Sequence, residues 1–200
     1  MTGAHAYAVL DRVERFSGRV FSVVTDRVTM PGGGQADRDY VRHVGAVGVV
    51  PLRDDGSVLL VRQYRHPIGK VLWELPAGLV DVAGEPPADT AARELREEAD
   101  LRCERLDLLV DLHTSPGFSD ELIRLFLARG LSAVPDAERF ERSDEEAEIT
   151  VEWVPLDTAV AMALRGEITN AAAVAGVLAA ARVRDEDWRP LRAAGTPLVR

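Results

Sequence analysis

Apolar positions along most of the chain come in short runs broken by turn residues, and only a few stretches repeat every three to four residues. Residues 20–28 are rich in β-branched side chains and predict a strand. Pro31-Gly32-Gly33-Gly34 forces a turn, and residues 39–44 return as a second strand, so an antiparallel hairpin is expected near the N-terminus. The glycine run lacks the Lys-Ser/Thr and following helix of a phosphate-binding loop, which favours a hairpin turn. Residues 1–18 show weak periodicity and read as a lead-in. Residues 45–52 have the pattern of a buried strand, Asp54-Asp55-Gly56 a hairpin turn, residues 58–64 its partner strand, and residues 71–75 a strand ended by Pro76.

Residues 85–101 change period. Ala91, Leu95 and Ala99 stack on one side of a helix, while Glu94, Glu97 and Glu98 cluster on another within about 100°. Strands follow at 106–112, 122–128 and 149–154, separated by a loop at 113–121 and a long, acidic surface segment at 132–148. Helices close the pattern at 156–165 and 170–184; the second is apolar on nearly every side, so it is buried. The tail from Asp185 is expected to be irregular, with Trp188 as a packing anchor. Strands and helices interleaved in this order predict an α/β fold with helices on both faces of a mixed sheet.

Composition bounds the function. With 46% hydrophobic and 28% charged residues, 200 residues make an ordinary globular chain. The single Cys103 excludes an internal disulfide framework, and His5, His43, His66 and His113 are too scattered for a zinc site. No basic leader precedes a long apolar run, and no apolar stretch approaches about 20 residues, so a cytoplasmic protein without membrane contact is expected. A net charge of −9 argues against a nucleic-acid partner and requires any anionic substrate to meet local positive charge. Lys70 is the sole lysine, and no function is read from that.

Three carboxylates on one helix face repel one another, and inside the helix only Glu97 has a base four residues away, Arg93. Either a divalent cation compensates the rest, held by hard oxygens one turn apart, or the face is a solvated acidic one. The flanks add a spacing: Gly78, six residues, Glu85, seven residues, then Arg93-Glu94-Leu95-x-Glu97-Glu98-x-Asp100-Leu101. This resembles the Nudix box, with two departures. The first loop is one residue longer than the usual form, and Asp100 stands where the box has its final Gly. Asp is among the least costly substitutes for Gly in a left-handed helix end, so the turn is expected to persist.

The resemblance spans residues 19–180 and narrows within the family. Pro31-Gly32-Gly33-Gly34, Gln63-Tyr64-Arg65-His66, Leu72-Trp73-Glu74-Leu75-Pro76-Ala77-Gly78 and Ser115-Pro116-Gly117-Phe118-Ser119-Asp120-Glu121 together look like the bacterial ADP-ribose pyrophosphatases, as do Pro116, fifteen residues beyond the box, and Asp144-Glu145-Glu146-Ala147-Glu148. It implies a Nudix-type α/β/α sandwich with a mixed sheet, preceded by the N-terminal hairpin. It implies Mg2+, with Mn2+ as a substitute, held by the Ala77 carbonyl, Glu94 and Glu98, with Glu97 supporting a second ion or the water network. Glu146, or its neighbour Glu145, would activate the attacking water. Arg62 and Arg65 would lie near the diphosphate or terminal ribose, and Glu74 would bind a ribose hydroxyl. The resemblance also implies a homodimer that exchanges N-terminal strands.

These residues also have plainer readings. Glu85 is a helix-start dipole partner or a ligand; Arg93 is a partner for the glutamates rather than a substrate contact; Arg62 and Arg65 are ordinary strand charges or substrate contacts. Trp73 and Phe118 are core residues or, for Phe118 in its Pro-Gly loop, a site-lining one. The expected organisation is a dimerising region at 1–44, a hydrolase domain at 45–184 and a tail at 185–200. The expected reaction is hydrolysis of ADP-ribose to AMP and ribose 5-phosphate, a step in nucleoside phosphate metabolism. Hydrolysis of another nucleoside diphosphate sugar or a dinucleotide is the alternative, and an ADP-ribose-sensing domain without catalysis the third reading.

Overall fold

Residues 5–141 and 148–198 are described by the computed structural model. They form two compact units: one of residues up to Gly45 with His113–Leu122, the other of Ala46–Leu112 with the chain from Ile123 onward.

In the first unit, β1 (Val9–Ser17), β2 (Phe21–Thr29) and β3 (Gln35–His43) form an antiparallel sheet in that order. The expected hairpin is β2–β3. β1 is a strand where a lead-in was expected, and every residue of it is exposed, so apolar burial does not hold it. Polar contacts do. Arg12 donates to both oxygens of Asp26 at 2.6 and 2.7 Å, and the Tyr40 hydroxyl donates to Asp26 at 3.1 Å. Arg15 donates to the Thr25 hydroxyl at 2.8 Å, which donates to Asp39 at 2.6 Å. Asp26 is buried, yet Arg12 holds its carboxyl below the usual range against that burial, with Tyr40 assisting. The segment 118–120 runs along β3: the Val41 amide donates to the Phe118 carbonyl at 2.8 Å, and the Asp120 amide to the Val41 carbonyl at 3.0 Å.

The second unit holds β4 (Ala46–Pro51), β5 (Ser57–Arg65), β6 (Lys70–Glu74), β7 (Ala77–Leu79) and α1 (Pro87–Ala99). β8 (Leu101–His113), β9 (Leu122–Ala133), β10 (Thr150–Pro155), α2 (Leu156–Leu164), α3 (Ala171–Asp185) and β11 (Arg192–Ala193) follow. One sheet runs β11-β8-β9-β4-β7, parallel between β4 and β9 and antiparallel between β4 and β7; the other runs β10-β5-β6. Alternation along the strands feeds two cores. Val47, Val49, Leu59, Val61 and Phe126 pack with Ala91, Leu95 and Ala99 of α1. Val50, Val58, Leu60, Leu125 and Leu127 pack with Ala159 of α2 and Ala173, Val177 and Ala180 of α3. Helices therefore cover both faces, the expected α/β/α sandwich. Each fully buried Leu or Val contributes about 1.5–3 kcal/mol, which sets the scale of what fixes α1. Gly176 lets α3 lie close to the sheet, since a Cβ there would stand 2.7 Å from Leu75.

Several boundaries differ from the sequence pattern. β3 begins at Gln35 rather than 39, β8 begins directly after α1 rather than at 106, and β9 runs on to Ala133, inside the expected loop. β7 had no expected counterpart, being three residues long and unable to show a period. The tail expected to be irregular is docked: β11 pairs with β8, and the buried Arg124 donates to the Thr196 carbonyl at 2.6 Å. Trp188 packs on the α2–α3 core, with the Arg129 guanidinium 4.5 Å from its ring centre. Among the described residues no helix is long and apolar enough to cross a membrane.

Candidate active site

α1 starts at the Pro86-Pro87 pair, where the missing N–H and fixed φ of proline suit a first turn, and ends at Asp100 in the left-handed region, φ 53°. The Asp100 amide donates back to Arg96 at 3.2 Å, so the expected helix-end role of this residue holds. Burying Ala91, Leu95 and Ala99 fixes the rotation of the helix. That rotation also turns Thr90, Glu94 and Glu98, a second row at four-residue spacing, inward: all three are buried.

β7 passes this row. The Ala77 amide donates to Glu98 Oε2 at 2.9 Å. At the next residue a Cβ on Gly78 would stand 2.1 Å from the Glu94 carboxyl carbon and 2.2 Å from its Oε1, so only glycine leaves space for that carboxylate. Two carboxylates one helical turn apart thus close on consecutive peptide units of one strand.

Arg93 is the hub of the charge. One of its terminal nitrogens, Nη1, donates to Glu94 Oε1 at 2.8 Å and Glu97 Oε2 at 3.0 Å; the other, Nη2, reaches Glu85 Oε2 at 3.4 Å. Burial disfavours the guanidinium charge, but Glu94, Glu85 and Glu97 outweigh it and raise its pKa, so it stays a cation. Glu85 precedes the helix and also accepts the Thr90 hydroxyl at 2.8 Å. That bond first, then Arg93, holds the Glu85 carboxyl below the usual range.

Among the described residues no three His, Cys, Asp or Glu side chains are disposed as a metal site by themselves. The donors that fit a hard divalent cation are the buried Glu94 and Glu98 carboxylates, with the Ala77 amide holding Glu98 in place. The slot that a Cβ at position 78 would fill is the structural sign of this arrangement.

The other candidates divide. Arg65 and Glu74 are brought together as a two-pronged pair at 2.9 and 2.6 Å, with Glu74 buried. β5 pairs with β6 in regular register, so Arg62 points to the opposite face from Arg65, its guanidinium 5.0 Å from the Trp73 ring centre. Phe118 belongs to the first unit and is exposed. Glu145 and Glu146 lie outside the described residues. Arg93 partners the glutamates as expected, while the sequence pattern did not single out Thr90. A hydroxyl five residues after Glu85 and four before Glu94 was the available signal.

Residues 42–175 match the NUDIX domain. The chain is 50% identical to an ADP-ribose pyrophosphatase of Mycobacterium tuberculosis over 175 residues, which cover 88% of this chain and 83% of that protein. It is 35% identical to an ADP-ribose pyrophosphatase of Bacillus subtilis over 156 residues, 78% of this chain and 82% of the relative. A solved structure of an ADP compounds hydrolase has the same fold, with a TM-score of 0.79 at 18% identity, covering 94% of this chain and all of the other. The box residues on α1, the glycine slot on β7 and these similarities agree: the chain belongs to the Nudix family.

Proposed function

We propose that this protein hydrolyses the diphosphate bond of ADP-ribose, using Mg2+ or Mn2+, to AMP and ribose 5-phosphate. The observation that carries the reading is the seating of the Glu94 carboxylate against Gly78, beside Glu98 on the Ala77 amide. The activity named for the two relatives supports the choice of substrate. Water adds across the P–O–P bridge, one P–O bond breaks, and each product leaves with a phosphate monoester. A bound cation would neutralise phosphate charge and lower the pKa of its water. The chain's own part is to hold that ion with Glu94, Glu98 and the Ala77 carbonyl, with Glu97 oriented by Arg93. Glu146, or Glu145, takes the proton from the attacking water. Arg65 and Glu74 act as one unit toward the substrate.

The protein works as a cytoplasmic homodimer without a nucleic-acid partner, its N-terminal region making the contact. The exposed Leu10, Phe16 and Phe21 of the first unit support this, and light scattering of the purified protein tests it.

The deciding experiment is kcat/KM with Mg2+ across ADP-ribose, other nucleoside diphosphate sugars and dinucleotides. ADP-ribose is expected to rank first, and Glu98→Gln to lower its kcat/KM at least about 100-fold. Uncleaved ADP-ribose, or full activity in Glu98→Gln, overturns the reading.

A further inference from the structure

Thr90 is fully buried at the head of the row that continues through Glu94 and Glu98. Its hydroxyl donates to Glu85 Oε2 at 2.8 Å, with a longer contact of 3.4 Å to the Pro86 carbonyl. The same Glu85 oxygen is the one that Arg93 Nη2 approaches at 3.4 Å. On the other side of that guanidinium, Nη1 grips Glu94 Oε1 and Glu97 Oε2 at 2.8 and 3.0 Å. A guanidinium is planar and its donors have fixed directions, so the place of Glu85 sets how Arg93 is turned and how Glu94 is held in its slot. Without the hydroxyl, Glu85 is drawn in to a charge-assisted distance of about 2.8 Å from Nη2, which turns Nη1 away from Glu94.

We propose that Thr90 is a positioning residue for the cation site: it restrains Glu85 so that Arg93 keeps Glu94 aligned beside Glu98. The inference rests on the reading of Glu94 and Glu98 as cation-holding residues given above. Thr90 acts through three other side chains, Glu85, Arg93 and Glu94. A purely structural threonine would stabilise the start of α1 and nothing more. The two roles differ in what they do to cation affinity.

The test uses the full chain as Thr90→Val, which keeps the shape and removes the hydroxyl, and Thr90→Ser, which restores it, with Glu98→Gln alongside. Mn2+ binding is measured without substrate by electron paramagnetic resonance of the free ion. Rates are measured against Mg2+ and ADP-ribose separately, and melting temperatures are recorded. Thr90→Val is expected to weaken Mn2+ binding about three- to tenfold, less than a group directly bonded to a ligand would. The Mg2+ concentration for half-maximal rate rises in step, while KM for ADP-ribose at saturating Mg2+ stays within about twofold. Thr90→Ser restores Mn2+ affinity to within about twofold of the parent. Parent-like Mn2+ affinity in Thr90→Val, or a failure of Thr90→Ser to restore a lost affinity, overturns the positioning role. If the parent and Glu98→Gln bind Mn2+ equally, the cation site itself is overturned and this role with it. Should Thr90→Val not fold, Thr90→Ala carries the same expectation.

Discussion

In the N-terminal sheet Asp26, Asp37 and Asp39 each have a donor of their own, whereas at α1 one guanidinium is divided among several acids. Asp26 takes both prongs of Arg12, Asp37 those of Arg27, and Asp39 the Thr25 hydroxyl. Arg93, by contrast, serves Glu85, Glu94 and Glu97, and Glu98 accepts a main-chain amide. Matched pairs hold strands together and add little net field. Around Arg93 the acids stand close together at one helix face, the type of oxygen donor that suits a hard divalent cation. The difference separates charges matched one to one from charges gathered around a shared donor.

The sharpest way to break this contrast is at Gly78. In Gly78→Ala the new Cβ meets the far end of Glu94, which swings out while the backbone stays. Activity on ADP-ribose is expected to fall at least about 100-fold, with the circular dichroism spectrum unchanged and Mn2+ binding weakened in parallel. A parent-like rate would mean that the slot is not part of the site.

Acid provides the next test. The folded pKa of Asp26 lies below its ordinary 3.8, because Arg12 stabilises the ionised form. The native state therefore binds fewer protons than the unfolded one. Its contribution is full above pH 3.8 and is lost as pH falls below that toward the lowered value. Amide exchange in β1 is expected to accelerate below that pH before exchange in β4 and β9, whose neighbours are apolar. Asp26→Asn should produce the same selective loosening of β1 at neutral pH, and lower the melting temperature by roughly 2–6 °C. Simultaneous loosening of β1 and β4 would show that the matched pairs do not hold β1 by themselves.

The smallest effect concerns Asp100, a carboxylate beside the acidic row whose left-handed backbone glycine would adopt without strain. Asp100→Gly is expected to stabilise the protein by about 1 kcal/mol, read by thermal denaturation, and to leave kcat/KM within a few-fold. A large gain in activity would show that the extra carboxylate disturbs the cation site.

How far the sequence was legible depends on what each segment uses for its stability. α1 was legible because Ala91, Leu95 and Ala99 write a helical period, and the central strands because their apolar residues feed two cores. β1 was not, because none of its residues is buried, and two register shifts, at Val9/Asp11 and Glu14/Phe16, interrupt any alternation. The docked tail was hidden for a related reason. Its attachment runs through Arg124 to the Thr196 carbonyl, 72 residues on, and a polar contact at that separation leaves no local pattern.

The sequence by itself determined which residue types stand at which spacing: the carboxylates of the box, the glycine before them, the proline loop and the acid excess. Those fix the chemistry available, and with the apolar pattern they fix the sandwich. Only the tertiary structure decided how the charges are shared. The reach of Arg93 to Glu85 crosses eight residues and the Glu98 bond to Ala77 crosses twenty-one; the pairing of Arg65 with Glu74 needs two strands in register. Spacing rules see neighbours one helical turn apart, whereas a flexible side chain finds its partner through the packing that the apolar rows impose.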